Sequence, residues 1–184
     1  MNTDIKKVTH QKDDIRIICY QTTALTKGDH FKLNNYEALE PRVPNAQMEL
    51  VRDDSFVWAS GPTYPYDFVR EHLHIDAKGQ IQIGRLAALS ALDILRGEKK
   101  RIGLVPLSYE VQGNDVLIHF NVPCLPLCFD TINVNKADNY GFNIIRKDNA
   151  DIISSVCIDG NTIVLKCKES PVNCKIRYGI NGDF

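Results

Sequence analysis

The hydrophobic period of the chain changes near residue 100, and this change constrains the fold more than any other feature of the sequence. Before it, short apolar runs over residues 15–20 and 55–60 alternate with helical patterns. After Gly103, apolar residues recur at every second position. Alternating strands and helices are typical of an α/β layer, whereas short strands of period two are typical of an all-β sandwich. We therefore predict an α/β domain over residues 1–98 and a β-sandwich domain over residues 99–184.

The first half contains signals for two strands and two helices. Residues 15–20 and 55–60 are nearly all apolar, as expected for parallel strands buried on both faces. Between them, a helix-like run over residues 46–51 follows Asn45, the predicted N-cap. A longer helix is predicted from its cap, Asp76, to about Leu95. Gly97, just beyond that helix, suits a left-handed stop.

The second half contains alternating runs separated by turn signals. Three sets of largely apolar residues follow the period of two: Val116, Ile118 and Phe120; Ile163, Leu165 and Cys167; and Cys174, Ile176 and Tyr178. Gln112-Gly113-Asn114-Asp115 and Asp159-Gly160-Asn161 are typical of tight hairpins. About seven short strands of this kind indicate a small β-sandwich.

Composition excludes several classes of protein. The net charge of -1 argues against a nucleic-acid or anionic-membrane surface. No apolar run approaches the ~20 residues that span a bilayer, and residues 1–16 lack the apolar core of a signal peptide. The six cysteines are too few and too scattered for a disulfide scaffold or a zinc set. We expect a soluble protein with no cofactor and no metal, either cytoplasmic or part of an exported or virion assembly.

Residues 71–84 carry the strongest functional signal. Glu71 lies three positions before His74, and a helix punctuated by Gly79 and Gly84 follows at once. This block resembles the last sequence block of the SGNH (GDSL-like) hydrolases, in which an Asp-x-x-His turn carries two members of a Ser-His-Asp triad. The β-rich tail, which ends in Ile176-Arg177-Tyr178-Gly179, is most similar to that of sialate and carbohydrate O-acetylesterases. The resemblance implies that the first domain is the C-terminal part of a flavodoxin-like, three-layer α/β/α sheet.

The resemblance implies catalytic roles for two residues of this block. His74 would be the general base that takes a proton from serine, and Glu71 would be the acid that orients it. The family usually has aspartate at the acid position, and glutamate is one methylene longer. Asp67 and Asp76 are the alternative acids, although Asp76 is better explained as a helix cap.

Three further residues near His74 have candidate roles. His72 and His74 form a His-x-His pair, but no third ligand for a metal is apparent in the sequence. Tyr64 and Tyr66 precede the block on a predicted loop, where aromatic rings often serve binding. We predict that they form a stacking wall for a sugar ring, with simple packing as the alternative.

The nucleophile of the family has no counterpart in this chain. None of its serines lies in a Gly-Asp-Ser context, and Gly28-Asp29-His30 resembles that motif only superficially. The sequence therefore predicts a subunit or fragment of a carbohydrate O-acetylesterase, inactive alone, that supplies the histidine and the acid. Its expected partners are a chain that carries the serine, or further copies of itself, and an O-acetylated glycan. The alternative is a non-catalytic glycan-binding or structural module descended from such an esterase.

Overall fold

The computed structural model describes residues 2–22, 42–69, 74–101, 103–134, 136–146 and 151–179. An α/β layer precedes an all-β region, which confirms the predicted fold class. Three α-helices are described, α1 (Asn2–Thr9), α2 (Arg42–Asp53) and α3 (Ala77–Arg96), and a short 3-10 helix spans Asp138–Gly141. The strands are β1 (Ile17–Gln21), β2 (Val57–Pro62), β3 (Val105–Gln112), β4 (Asp115–Asn121), β5 (Phe142–Ile145), β6 (Ile153–Asp159), β7 (Thr162–Cys167) and β8 (Lys175–Tyr178).

The α/β layer is built on two parallel strands, β1 and β2, with Ile17 opposite Val57. Val57 and Trp58 are buried, as their apolar run predicts. Helix α3 packs on β2, and the buried Ser90 hydroxyl donates a 2.6 Å hydrogen bond to the carbonyl oxygen of Ala59. This bond fixes the helix against the strand.

Local signals determine both ends of α3. The Asp76 carboxylate accepts a 2.7 Å hydrogen bond from the amide of Gly79, and Gly97 adopts φ 66°, ψ 25° at the C-terminal end. These are the two caps that the sequence predicts. The predicted N-cap of α2 was wrong, because that helix begins at Arg42 and includes Asn45. Pro44 lies in its first turn, where a missing amide proton costs nothing.

One carboxylate of α3 is buried. Asp93 is only 1% exposed and lies 2.6 Å from Nε of Arg101, whose second nitrogen donates to the other carboxylate oxygen at 2.8 Å. The contact with Asp93 raises the pKa of the Arg101 guanidinium. A buried charge is tolerated when it has such a two-point partner. The segment after α3 is therefore tied to the helix by an ion pair.

The all-β region has two sheets around one core. The first is antiparallel with order β3-β4-β7-β6, and the second pairs β5 with β8. Gly113 and Gly160 adopt positive φ in the two-residue turns of the β3–β4 and β6–β7 hairpins, as predicted. Six strands are described here, against about seven predicted. Both sheets contribute to the buried cluster of Val116, Ile118, Phe142, Ile144, Ile152, Ile153, Ile163, Leu165 and Cys167.

Strand β3 is exposed along most of its length. Tyr109 and Val111 pair with the buried Ile118 and Val116 and so face the same side of the sheet. They are nevertheless exposed, because the two-stranded second sheet does not cover them. Within the described ranges, no helix combines the length and the apolar character that crossing a bilayer requires.

Candidate active site

The candidate site begins where β2 ends. Thr63 is buried, and both its amide and its hydroxyl donate to the carbonyl oxygen of Gln21 at 3.1 Å. These bonds hold the start of the loop at the carboxyl ends of β1 and β2. In parallel α/β sheets, ligands bind outside this edge.

A short chain reversal carries His74 at this edge. The amide of Val69 donates to the carbonyl oxygen of His74, and the amide of Asp76 donates to that of Asp67, each at 2.8 Å. Phe68 and Ile75 form the antiparallel bridge between these two bonds. His74 itself is exposed, immediately before α3. The predicted acid Glu71, together with His72, lies outside the described residues.

The pleat of this reversal decides which side chains lie near His74. Because successive side chains alternate between the two sides of a strand, Asp67, His74 and Asp76 lie on one side, opposite Phe68 and Ile75. Asp67 is the diagonal neighbour of His74, a relation in which Cα atoms lie roughly 7–8 Å apart. The Asp76 carboxylate accepts a hydrogen bond from the Gly79 amide, which confirms the predicted role of Asp76 as a helix cap. Asp67 and His74 therefore lie on the same side of the reversal, whereas Asp76 serves the helix.

The first turn of α3 packs tightly under the loop that precedes the reversal. A Cβ atom added at the buried Gly79 would lie 2.8 Å from Cβ of Tyr66 and 3.3 Å from Cβ of Ile75. Both neighbouring atoms are close to the backbone and have little freedom to move. Only glycine lets the helix and the loop approach this closely. The position of His74, just before the helix, depends on this contact.

We expect opposite effects when the two glycines of α3 are replaced by alanine. In Gly79→Ala, overpacking of about 1–3 kcal/mol exceeds a gain of about 1 kcal/mol in helix propensity, so the variant is less stable. Gly84 has no atom within 4 Å of its added Cβ, so Gly84→Ala gains about 0.5–1 kcal/mol. Urea unfolding of both variants beside the wild type measures this difference. A Gly79→Ala protein as stable as Gly84→Ala would contradict the tight packing.

Tyr64 joins the loop to the all-β region. Its ring meets the ring of Tyr178 edge to face at a centroid distance of 5.5 Å, and Tyr178 in turn packs on Phe142. Burial, together with the nearby Tyr178 and a hydrogen bond to its hydroxyl, raises the pKa of Tyr64 well above its usual value. A Cβ atom at Gly179 would lie 3.0 Å from the Tyr64 ring. Tyr64 therefore packs closely against β8 and the residue that follows it.

A charged residue of the all-β region acts on Tyr66. Burial and then the charge of Asp130 raise the pKa of the Tyr66 hydroxyl. Asp130 accepts hydrogen bonds from the amides of Ile132 and Asn133 at 3.0 and 2.9 Å, and these bonds lower the pKa of its carboxyl. The charge of Lys78, on the first turn of α3, lowers it further. An ionised carboxylate thus acts on Tyr66 from a distant part of the chain.

Sequence reasoning missed Asp130. The sequence Asp130-Thr131-Ile132-Asn133 permits a turn closed by the aspartate side chain, and this local signal was available. Nothing local connects that turn with Tyr66, however. In the part of the chain that the structure describes, no group of three histidine, cysteine or acidic side chains could hold a metal ion.

Comparison with known proteins supports an esterase-like fold. No protein-family model matches the sequence, and no curated protein matches it either. A solved structure that does match is a novel carbohydrate acetylesterase from Xanthomonas citri, with a TM-score of 0.63 and 16% sequence identity. The alignment covers 91% of this chain but only 36% of that protein. At this identity the likeness is one of fold, and the chain shares its fold with about a third of a carbohydrate acetylesterase.

Proposed function

We propose that this chain supplies the histidine and the acid of an SGNH-type, sialate-esterase-like carbohydrate O-acetylesterase, whose nucleophilic serine lies on another polypeptide. The observation that carries the proposal is the position of His74. It is exposed at the carboxyl edge of a parallel sheet, on a reversal fixed by two backbone hydrogen bonds. The fold of a carbohydrate acetylesterase adds support.

In the proposed reaction, His74 moves protons between serine, sugar and water. The serine oxygen attacks the acetyl carbonyl while its proton passes to the imidazole. The tetrahedral intermediate then expels the sugar oxygen, which takes that proton and leaves as an alcohol. Water next gives a proton to His74 and attacks the acetyl-serine, which releases acetate and restores the serine. The acid accepts a hydrogen bond from the other ring nitrogen of His74 and stabilises the imidazolium.

Glu71 and Asp67 are the proposed candidates for the acid. Glu71 occupies the position that the family resemblance indicates. Asp67 has structural support, since it lies diagonal to His74 on the same side of the reversal. Either carboxylate is chemically competent, because the role requires a negative charge and a hydrogen-bond acceptor.

Tyr64 and Tyr66 are proposed as the sugar-binding wall beside His74. Aromatic faces stack on the apolar faces of sugar rings, and both tyrosines lie on the loop that leads into the reversal. Tyr64 is anchored by Tyr178, so its ring is held in place. We propose the Asp130 carboxylate, whose charge acts on Tyr66, as an acceptor for sugar hydroxyl groups.

The second candidate function is a non-catalytic glycan-binding or structural module. The exposed face of β3 favours it, because Leu107, Tyr109 and Val111 are 68%, 67% and 43% exposed. Apolar and aromatic residues on an open sheet face are typical of interaction surfaces. This role requires neither His74 nor a serine.

A fluorophosphonate serine-hydrolase probe separates the two candidates. The native preparation, with whatever copurifies, is labelled beside a His74→Ala preparation. We expect labelling of a copurifying chain that is lost in His74→Ala, because the serine reacts only when its base is present. Labelling that persists in His74→Ala would assign the serine to an unrelated hydrolase. No labelling of a folded, fully assembled sample would leave the binding or structural module.

A further inference from the structure

Two aromatic rings stack at the surface of the all-β region. The rings of Phe129 and Tyr140 are nearly parallel, with a centroid distance of 3.6 Å and an interplanar angle of 9°. Phe129 packs on the buried cluster beneath it, and Tyr140 is 38% exposed. Since Phe129 covers one face of the Tyr140 ring, solvent reaches that ring from its other side. The stack therefore presents an aromatic surface to water.

The backbone at Tyr140 adopts a conformation that tyrosine rarely takes. Asn139 and Tyr140 have φ of 51° and 52°, in the left-handed region. Asparagine is tolerated there, but a bulky side chain is an outlier. Glycine would adopt the same angles without strain. The strain at Tyr140 destabilises the fold, and strain of this kind is concentrated at binding and catalytic sites.

The Asp151 carboxylate holds the strained turn in place. It accepts hydrogen bonds from the side-chain amides of Asn139 and Asn143 at 3.3 and 3.0 Å. It also accepts hydrogen bonds from the backbone amides of Ile144 and Ile153, each at 3.1 Å. These bonds tie the turn to β5 and β6. An aromatic ring on an anchored turn loses little freedom when a ligand stacks on it, so the turn is pre-organised for binding.

Polar groups beside the stack indicate the chemistry of its ligand. Three exposed polar residues flank the two rings in the chain: Asp130, Lys136 and Asp138. Oδ2 of Asp130 accepts a 3.1 Å hydrogen bond from the Asn133 side chain and has a second lone pair for a ligand. Carboxylates accept hydrogen bonds from hydroxyl groups, and an ammonium group donates to their oxygens. An aromatic surface with such neighbours suits a pyranose ring, which combines apolar C–H faces with a rim of hydroxyl groups.

Contacts link this stack with the proposed sugar-binding wall beside His74. The carbonyl oxygen of Gly141, the residue after Tyr140, accepts a 3.1 Å hydrogen bond from the Gly179 amide. Gly179 in turn lies against the Tyr64 ring, since a Cβ atom there would be 3.0 Å from it. Two aromatic surfaces joined in this way can hold two sugar units of one glycan.

We propose that the Phe129–Tyr140 stack, with Asp130, Lys136 and Asp138 around it, is a glycan subsite that binds one pyranose unit of an oligosaccharide. The subsite itself requires neither His74 nor a serine. That the same oligosaccharide carries the acetyl group removed beside His74 rests on the proposed function. In that case the substrate is an acetylated oligosaccharide, because a single acetylated sugar beside His74 leaves the subsite empty.

Binding of neutral hexasaccharides to the purified full-length chain tests the subsite. The probes are cellohexaose, xylohexaose, mannohexaose and chitohexaose, and titration calorimetry gives their affinities. We expect saturable binding of at least one probe. Tyr140→Gly is expected to lower that affinity about tenfold, because it removes the stacking surface. Glycine adopts the backbone angles of this turn freely, so the variant folds. Tyr140→Trp restores an aromatic surface and is expected to retain the wild-type affinity.

Tyr109→Ala distinguishes the subsite from the exposed face of β3. Tyr109 is also an exposed tyrosine, and its loss is expected to leave hexasaccharide affinity unchanged. The subsite is wrong if a folded chain binds none of the probes, or if Tyr140→Gly binds as tightly as the wild type. It is also wrong if Tyr109→Ala, and not Tyr140→Gly, weakens binding. Circular dichroism during thermal unfolding checks that each variant is folded.

Fluorophosphonate labelling separates this proposal from the proposed function. Binding that depends on Tyr140, in a preparation without a labelled partner chain, would support the subsite and contradict catalysis. A labelled partner that depends on His74, with no hexasaccharide binding, would support catalysis and contradict the subsite.

Discussion

In the proposed assembly with a serine-bearing chain, His74→Gln is expected to lower kcat on 4-nitrophenyl acetate by roughly 10³- to 10⁴-fold. Glutamine retains hydrogen-bonding capacity but cannot take the serine proton near neutral pH. The residual rate reflects binding and oxyanion stabilisation, which this substitution leaves in place. Steady-state kinetics of the assembly with wild-type and variant chains measures the effect. A variant chain that supports more than a tenth of the wild-type kcat would remove His74 from the mechanism.

Matched substitutions at three carboxylates identify the acid. Glu71→Gln and Asp67→Asn each remove a charge with little change of shape, and we expect one of them to lower kcat by roughly 10²- to 10⁴-fold. Asp76→Asn is the control, because asparagine also caps helices and Asp76 bonds the Gly79 amide. If neither Glu71→Gln nor Asp67→Asn changed kcat, both proposed candidates for the acid would be wrong.

The second large effect is on stability. Leu165→Ala is expected to lower the free energy of unfolding by about 2–5 kcal/mol, because it opens a cavity that the surrounding strands cannot close. Leu165 is fully buried in β7, opposite Val116 on β4 and Val156 on β6. Urea unfolding followed by circular dichroism gives the difference.

Leu107→Ala provides the matched control for that measurement. Leu107 is also a strand leucine, but it lies on β3 and is 68% exposed. A change within about 0.5 kcal/mol is expected there. Equal losses in the two variants would mean that β3 is covered in solution, and would favour the binding-module candidate.

Much of the fold was predictable because its signals are local. Asp76 and Gly97 delimit α3 through hydrogen bonds and backbone angles set within one turn of the chain. Gly113 and Gly160 close their hairpins for the same reason. The start of α2 was not predictable from Asn45. A proline is compatible both with the first turn of a helix and with the segment before it, so Pro44 does not show on which side of it the helix begins.

The candidate site was predictable only in part. The family resemblance of residues 71–84 singled out His74, and the structure describes this histidine and the Asp76 cap at the carboxyl edge of the sheet. The contribution of Asp130 to the surroundings of Tyr66 was missed. The two residues are remote along the chain, and neither segment contains a sequence pattern that predicts contact with the other.

The sequence by itself determined the change from an α/β layer to an all-β region and the caps of α3. These depend on periodicity and on interactions within a few residues. Only the tertiary structure decided that Tyr64 packs on Tyr178, that Asp93 is neutralised by Arg101, and that Ile81, Leu92 and Leu95 of α3 are exposed. Such pairings are selected by burial and charge across the whole chain, since a group removed from water is stable only with the partner that the fold brings to it.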